Sequence, residues 1–327
     1  MSAKKLSKKA IILTLVIVTL VILVYSIVTV SYHVILQANP LAIAIALSAY
    51  FLSWLVSAIR LMVLHRILDG SNSLLSIRDY FYARLLGGLV AYLTPSAIGG
   101  EPVRAYYISV KVGQRFPRYF ALALYEVFYD VVVVGVIALV LAIYIFPLSL
   151  PVVLVSASNI VFWIVLYYLL NSIISPERAN PFVKRLLLFV RSNIVNKMSR
   201  LSNGYTGLGE AFSEISRKVR TRYKILLVLL TLLIHFIAAQ VIFLLELLHE
   251  GSKSIWGLQL SAVLAYFYSL SMGALPTPGG TGAIEYGLSI VLDPTTVVLS
   301  RIVMYYSVIV AGLIALVKSS LVREVIG

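Results

Sequence analysis

The chain has no cysteine among its 327 residues. That removes disulfides, thiolate metal sites and cysteine nucleophiles. Charge is also scarce. Charged residues make up 12% and apolar residues 61%, with a mean hydropathy of +0.98. A soluble domain carries about twice that share of charge. No N-x-[ST] sequon, HExxH pair, GxxxxGK[ST] loop or GxSxG elbow occurs. Zinc chemistry, ATP hydrolysis and serine-hydrolase chemistry therefore have no motif to carry them, and no cofactor is implied. Period-two alternation is missing too. In lipid every backbone polar group needs a partner within its own element, so helices are expected and a barrel is not.

What the chain does have is long apolar runs. About 20 helical residues cross a hydrocarbon core of roughly 30 Å. Full spans are read near 10–31, 41–65, 118–146, 151–171, 225–248 and 296–318. The first run, Ile11 to Val30, follows Lys4, Lys5, Lys8 and Lys9. It is too long for a signal-peptide core, so it is expected to be a retained span with those lysines in the cytoplasm. Segments 32–39, 147–150 and 293–299 lack Lys and Arg, and 249–254 has only Lys253, beside Glu250. Basic residues gather at 1–9, 66–84, 111–118, 178–224 and 318–323. This alternation places both termini in the cytoplasm. The lack of cysteine and the richness in Ile, Val, Tyr and Arg point to the cell membrane of a prokaryote. The alternation also explains the net charge of +14. Basic loops meet anionic lipid, and no nucleic-acid partner is needed.

Two apolar stretches do not fit as full spans. One is 80–93 and 101–110, with TPSAIGGEPVRAYY opening at Thr94 between them. Ten helical residues reach only about 15 Å, half a bilayer. The other is 256–275 and 282–292, joined by LPTPGGTGAIE. Both are read as re-entrant hairpins, 80–110 and 256–292. Irregular backbone at membrane depth must line a cavity or be buried in protein. The first hairpin enters from the cytoplasm and the second from outside. The fold expected is an all-α polytopic membrane protein of about six transmembrane helices plus two re-entrant hairpins in inverted repeats. It is one integral domain with halves 1–146 and 225–327. Between them, 176–224 is a polar linker. Leu187, Val190, Ile194, Met198 and Leu201 recur there at helical spacing among basic residues. That pattern suits an interfacial cytoplasmic helix.

Charges inside a membrane are costly and draw attention. Gly100, Glu101 and Arg104 open the returning arm of the first hairpin. Two roles fit Glu101. It can cap a buried helix, with Arg104 as its partner. Alternatively, the half-helix end supplies N–H groups to an anion, with Arg104 adding a phosphate contact. Gly280, Gly282 and Glu285 form the matching end of the second hairpin. Glu126 and Asp130 lie four apart on one helix face and need a counter-charge. Arg104 and Arg301 are the expected partners. His235 and Gln240 are read as interhelical hydrogen-bonding groups.

TPSAIGGEPVRAYYIS, YEVFYD, LPTPGGTGAIEYGLS and RIVMYYS follow one another in that order. Together they resemble the lysylphosphatidylglycerol synthase transmembrane-region family, or flippase-like domain, over roughly 10–320. The resemblance marks Glu101, Arg104, Glu126, Asp130, Pro278, Gly279, Gly280, Gly282, Glu285 and Arg301. Val127 stands where that family usually has arginine, which shifts counter-charge duty onto Arg104 and Arg301. Larger members carry a soluble aminoacyl-transferase domain. This chain ends at Gly327, so lysyl transfer is not expected of it. The resemblance implies movement of anionic or glycosylated lipids between leaflets, by a non-enzyme that forms an oligomer or acts alone. Rival readings are an intramembrane transferase with Glu126 and Asp130 as a base or metal pair, a non-catalytic partner of a synthase, and a small-ion transporter.

Overall fold

The computed structural model describes residues 39–95, 97, 99–172, 202–249, 254–277 and 279–319. The expected first span at 10–31 and the amphipathic segment 187–201 lie outside these residues. Among the described residues there is no strand.

Among the described residues eleven α-helices follow one another: α1 (Pro40–Asp69), α2 (Ile77–Leu93), α3 (Gly100–Val112), α4 (Phe116–Leu141), α5 (Leu150–Ser172), α6 (Ser202–Lys218), α7 (Thr221–His249), α8 (Ile255–Met272), α9 (Ala283–Ser289), α10 (Pro294–Arg301) and α11 (Ser307–Lys318). Six described stretches are long and apolar enough to cross a membrane: Pro40–Asp69, Phe116–Ile145, Leu150–Asn171, Thr221–Leu247, Ile255–Met272 and Pro294–Lys318. The chain is an integral membrane protein. Five of these stretches coincide with expected spans. The sixth, Ile255–Met272, was expected as a hairpin arm; at 18 residues it is the shortest of the set.

Local chemistry sets the ends. Pro40 opens α1 behind Asn39, whose side chain accepts from the Leu41 N–H. Asp293 caps α10, accepting from Thr295 and Thr296 at 2.8 and 3.1 Å. Pro95, without an N–H, follows the last turn of α2. The Thr94 hydroxyl then donates to Val90 O and accepts from the Gly99 N–H, closing the turn. The last span is not one continuous α-helix. A π-helical turn, Ile302–Tyr306, separates α10 from α11. Such turns are rare and recur at functional sites.

α2 and α3 form one tight helical hairpin. A Cβ on Gly100 would lie 2.8 Å from Gly87 O, so only glycine lets the two backbones approach this closely. α8 and α9 form the other. The two hairpins belong to opposite ends of the bundle. One core cluster joins the start of α1 (Ala46, Tyr50), the end of α4, the end of α7 (Ala238, Ile242), α8 and α9. The other joins the end of α1 (Leu61, Leu64, Leu68), α2, α3, the start of α4, α6 and the start of α7 (Leu227). The first residues of α1 thus pack with the last of α7, so these helices run antiparallel. All four described lysines (Lys111, Lys218, Lys224, Lys318) sit at the end that holds α2 and α3. There Arg118 donates to Asp69 and Glu214, fastening α6 to α1 and α4. The turns of the two hairpins meet in the middle. A Cβ on Gly279 (φ 58°) would lie 2.7 Å from Tyr92 O, two residues before Thr94.

Candidate functional site

Beside the first turn lies a cavity of about 320 Å³. Its wall is drawn from six helices: Tyr50, Trp54 and Arg60 of α1, Arg84 and Tyr92 of α2, Gly100, Glu101 and Arg104 of α3, Asp130 of α4, His235 of α7 and Tyr266 of α8.

Glu126 is the anchor of the charges. It is 1% exposed and takes Arg60 Nε at 3.0 Å, a close contact from Arg84, and Arg104 at 3.4 Å. One helical turn later, Asp130 receives Arg60 through both Nη atoms at 2.6 and 2.7 Å. Arg60 also donates to the Thr231 hydroxyl at 2.6 Å. Its fork therefore ties α1 to two other helices, α4 and α7. Arg84 gives a second bond to Ser57 O at 3.2 Å, and Arg104 one to Ala123 O at 2.9 Å. The Nε atoms of Arg84 and Arg104 are buried without a hydrogen-bond partner. Ions so placed lose their hydration, and only their mutual attraction and hydrogen bonds offset that.

The sequence assigned the counter-charge differently. Arg104 does reach Glu126, but the main partners are Arg60 and Arg84, and Arg301 is not among them. Val127 therefore shifts the duty onto α1 and α2. Arg84 had been counted in the basic stretch 66–84; in the fold it is 7% exposed, against 1% for Arg60. Both stand alone in apolar helical sequence (SAIRLMV, YARLLGG). That was the available signal. Nor does Arg104 make an ion pair with Glu101. Glu101 instead occupies the first turn of α3 and faces the cavity.

Arg301, Gly280, Gly282 and Glu285 do not line this cavity. They form a second cluster at the other turn. Arg301 Nε lies 2.8 Å from Glu285, and Arg301 Nη2 lies 3.4 Å from Gly279 O. The backbone N–H groups expected to face an anion are engaged within the turn. Gly282 N–H donates to Glu285 Oε2 at 2.7 Å, and Gly280 N–H to Thr277 O at 3.1 Å. A carboxylate three residues on simply reaches back, as in a capping box.

Three tyrosines stand between the two clusters. The Tyr50 and Tyr92 hydroxyls are 3.1 Å apart. Tyr305 donates to Tyr92 O at 3.1 Å, and its ring lies 4.2 Å from the Arg301 guanidinium. His235 bonds Tyr266 of the neighbouring helix at 2.9 Å, as expected. Gln240 instead bonds Phe236 O within its own helix.

These features define a polytopic helical membrane protein with a charged internal cavity beside the meeting turns of two hairpins. Residues 11–317 match the family described as lysylphosphatidylglycerol synthase TM region, and the chain belongs to that family. The family points to a lipid-related function in the membrane. No curated protein and no solved structure matches it.

Proposed function

We propose that the chain is a translocase that carries a polar lipid head group between leaflets. The observation that supports this most directly is the cavity itself. It brings buried Arg84 and Arg104, each with an unpartnered Nε, beside a glycine turn inside a lipid-embedded bundle. Guanidinium groups suit phosphate oxygens better than any other side chain. The cavity, at about 320 Å³, is at the small end of ligand sites and fits a head group rather than acyl chains. The tails stay in lipid.

In this reading the two hairpins are re-entrant and the segments 1–146 and 225–327 are inverted repeats. The lysine-bearing end faces the cytoplasm of a prokaryotic cell. Arg104, Arg84, Gly100 and Glu101 receive the head group. Glu126 and Asp130 hold the arginines in place. The Glu285–Arg301 pair keeps the second turn closed against Tyr305. Because Glu126 and Asp130 are both committed to Arg60, they serve the arginines rather than acting as a metal or base pair.

The test is reconstitution into phosphatidylcholine vesicles with fluorescent phosphatidylglycerol or a fluorescent glycolipid. Dithionite then reads leaflet exchange. Exchange faster than in empty vesicles is expected. Rates equal to empty vesicles for every polar lipid tried would refute the proposal.

A further inference from the structure

One buried titratable group has no part in that scheme. His235 lines the cavity at 8% exposure. Its Nδ1 is 2.9 Å from the Tyr266 hydroxyl of α8. Its Nε2 is buried, makes no hydrogen bond, and lies 3.5 Å from Asp130 Oδ1 of α4. A hydroxyl accepts as well as donates, while a carboxylate only accepts. A neutral ring can therefore donate to one of these neighbours at a time. An imidazolium donates to both. Imidazole is also the side chain suited to proton exchange near neutral pH.

The other charges set the balance. Arg60, Arg84 and Arg104 stand against Glu101, Glu126 and Asp130, three of each sign around the cavity. Tyr50 and Tyr92 complete the titratable wall from α1 and α2. Arg301, the sole ionisable residue of α10, is held by Glu285. An anion entering the cavity upsets an even count by one charge. A proton on His235 restores it.

We infer that His235 takes up a proton together with an anionic head group, so that movement is an electroneutral proton symport. This rests on the translocase reading. The proton comes from cavity water and occupies the vacant ring nitrogen. It returns to water when the anion leaves on the opposite face. Proton and anion attract each other across the cavity, so each tightens the binding of the other.

The experiment uses the full chain in phosphatidylcholine vesicles with a trace of fluorescent phosphatidylglycerol and a one-unit pH gradient, acid outside. Empty vesicles under the same gradient set the baseline. One-to-one symport enriches label in the inner leaflet up to about tenfold over the outer, the ratio of proton activities. His235→Gln should return the distribution to baseline. Tyr266→Phe, which keeps the ring, should leave an intermediate enrichment. In weakly buffered detergent solution, adding short-chain phosphatidylglycerol to wild type should also remove about one proton per chain from the medium. Exchange without a gradient separates the two ideas. Its absence removes the translocase reading. Its presence with a symmetric or outward distribution under the gradient, with no proton uptake, or with enrichment retained in His235→Gln, overturns the symport alone.

Discussion

Glu126→Gln is the sharpest test of the arginine cluster. The substitution keeps the shape and removes the charge that three guanidiniums share. Arg60 is protected, because Asp130 still takes both its Nη atoms. Arg84 is not. Its remaining hydrogen bond is to Ser57 O, and its Nε is already unpartnered. Stranding a buried cation costs about 3–5 kcal/mol. At about 2 °C per kcal/mol for a chain of this size, melting falls by roughly 6–10 °C. Asp130→Asn should cost less, about 1–3 kcal/mol, as for one lost partner of a hydrogen-bonded charge. Arg60 then keeps Glu126 and Thr231, and the Asp130 side chain is 27% exposed, so water takes its place. Removing the stranded cation as well, in Arg84→Met with Glu126→Gln, should recover about half of the loss, because no guanidinium at position 84 is then left buried without its counter-charge. The assay is heat-induced loss of the monodisperse gel-filtration peak in detergent. Equal losses for Glu126→Gln and Asp130→Asn, or no recovery in the double variant, would refute this account.

Other expectations follow from the same contacts. Arg104→Ala should slow leaflet exchange about tenfold or more, with a smaller loss of thermal stability than Glu126→Gln, since it removes one charge-assisted phosphate contact. Gly287→Ala should destabilise the α8–α9 hairpin by about 1–3 kcal/mol, as for overpacking, because its Cβ would sit 2.7 Å from the Ser269 Cα; a melting curve identical to wild type would contradict that. Acid should release α6. Hydrogen bonds from Arg118 hold the Glu214 carboxyl below its ordinary range, so its contribution is complete above that range and lost as pH falls through the lowered folded value. Hydrogen exchange over 207–218 should therefore rise below about pH 4 in wild type. In Glu214→Gln it should be raised already at pH 7.

Much of the architecture can be read along the chain because its causes are local. Proline and glycine at 95–102 end one helix and start another, and α3 begins at Gly100 as that reading requires. Asp293 and Pro294 mark a helix start in the same way. Apolar length alone locates five of the spans. The partner of each charge is another matter. Arg60 meets Asp130 across 70 positions and Thr231 across 171. No spacing rule reaches that far. The isolated arginines of α1 and α2 carried a signal, yet Arg84 resembled one more basic residue on the cytoplasmic side until packing buried it. Arg301 shows the converse. Its type and place in the last span were plain, but the π turn and the folded-back Glu285 carboxylate give it to the second turn instead of the cavity.

The sequence by itself determined that this is a helical membrane protein, where most helices begin and end, and which turns break them. Hydrophobic length, proline and glycine act over a few residues, so they are legible without the fold. Only the tertiary structure decided which arginines face which carboxylates, that the two hairpin turns touch at Gly279 and Tyr92, and that His235 meets Asp130. Those choices depend on helix packing, where a rotation of one residue along a helix, about 100°, moves a charge from the cavity to lipid.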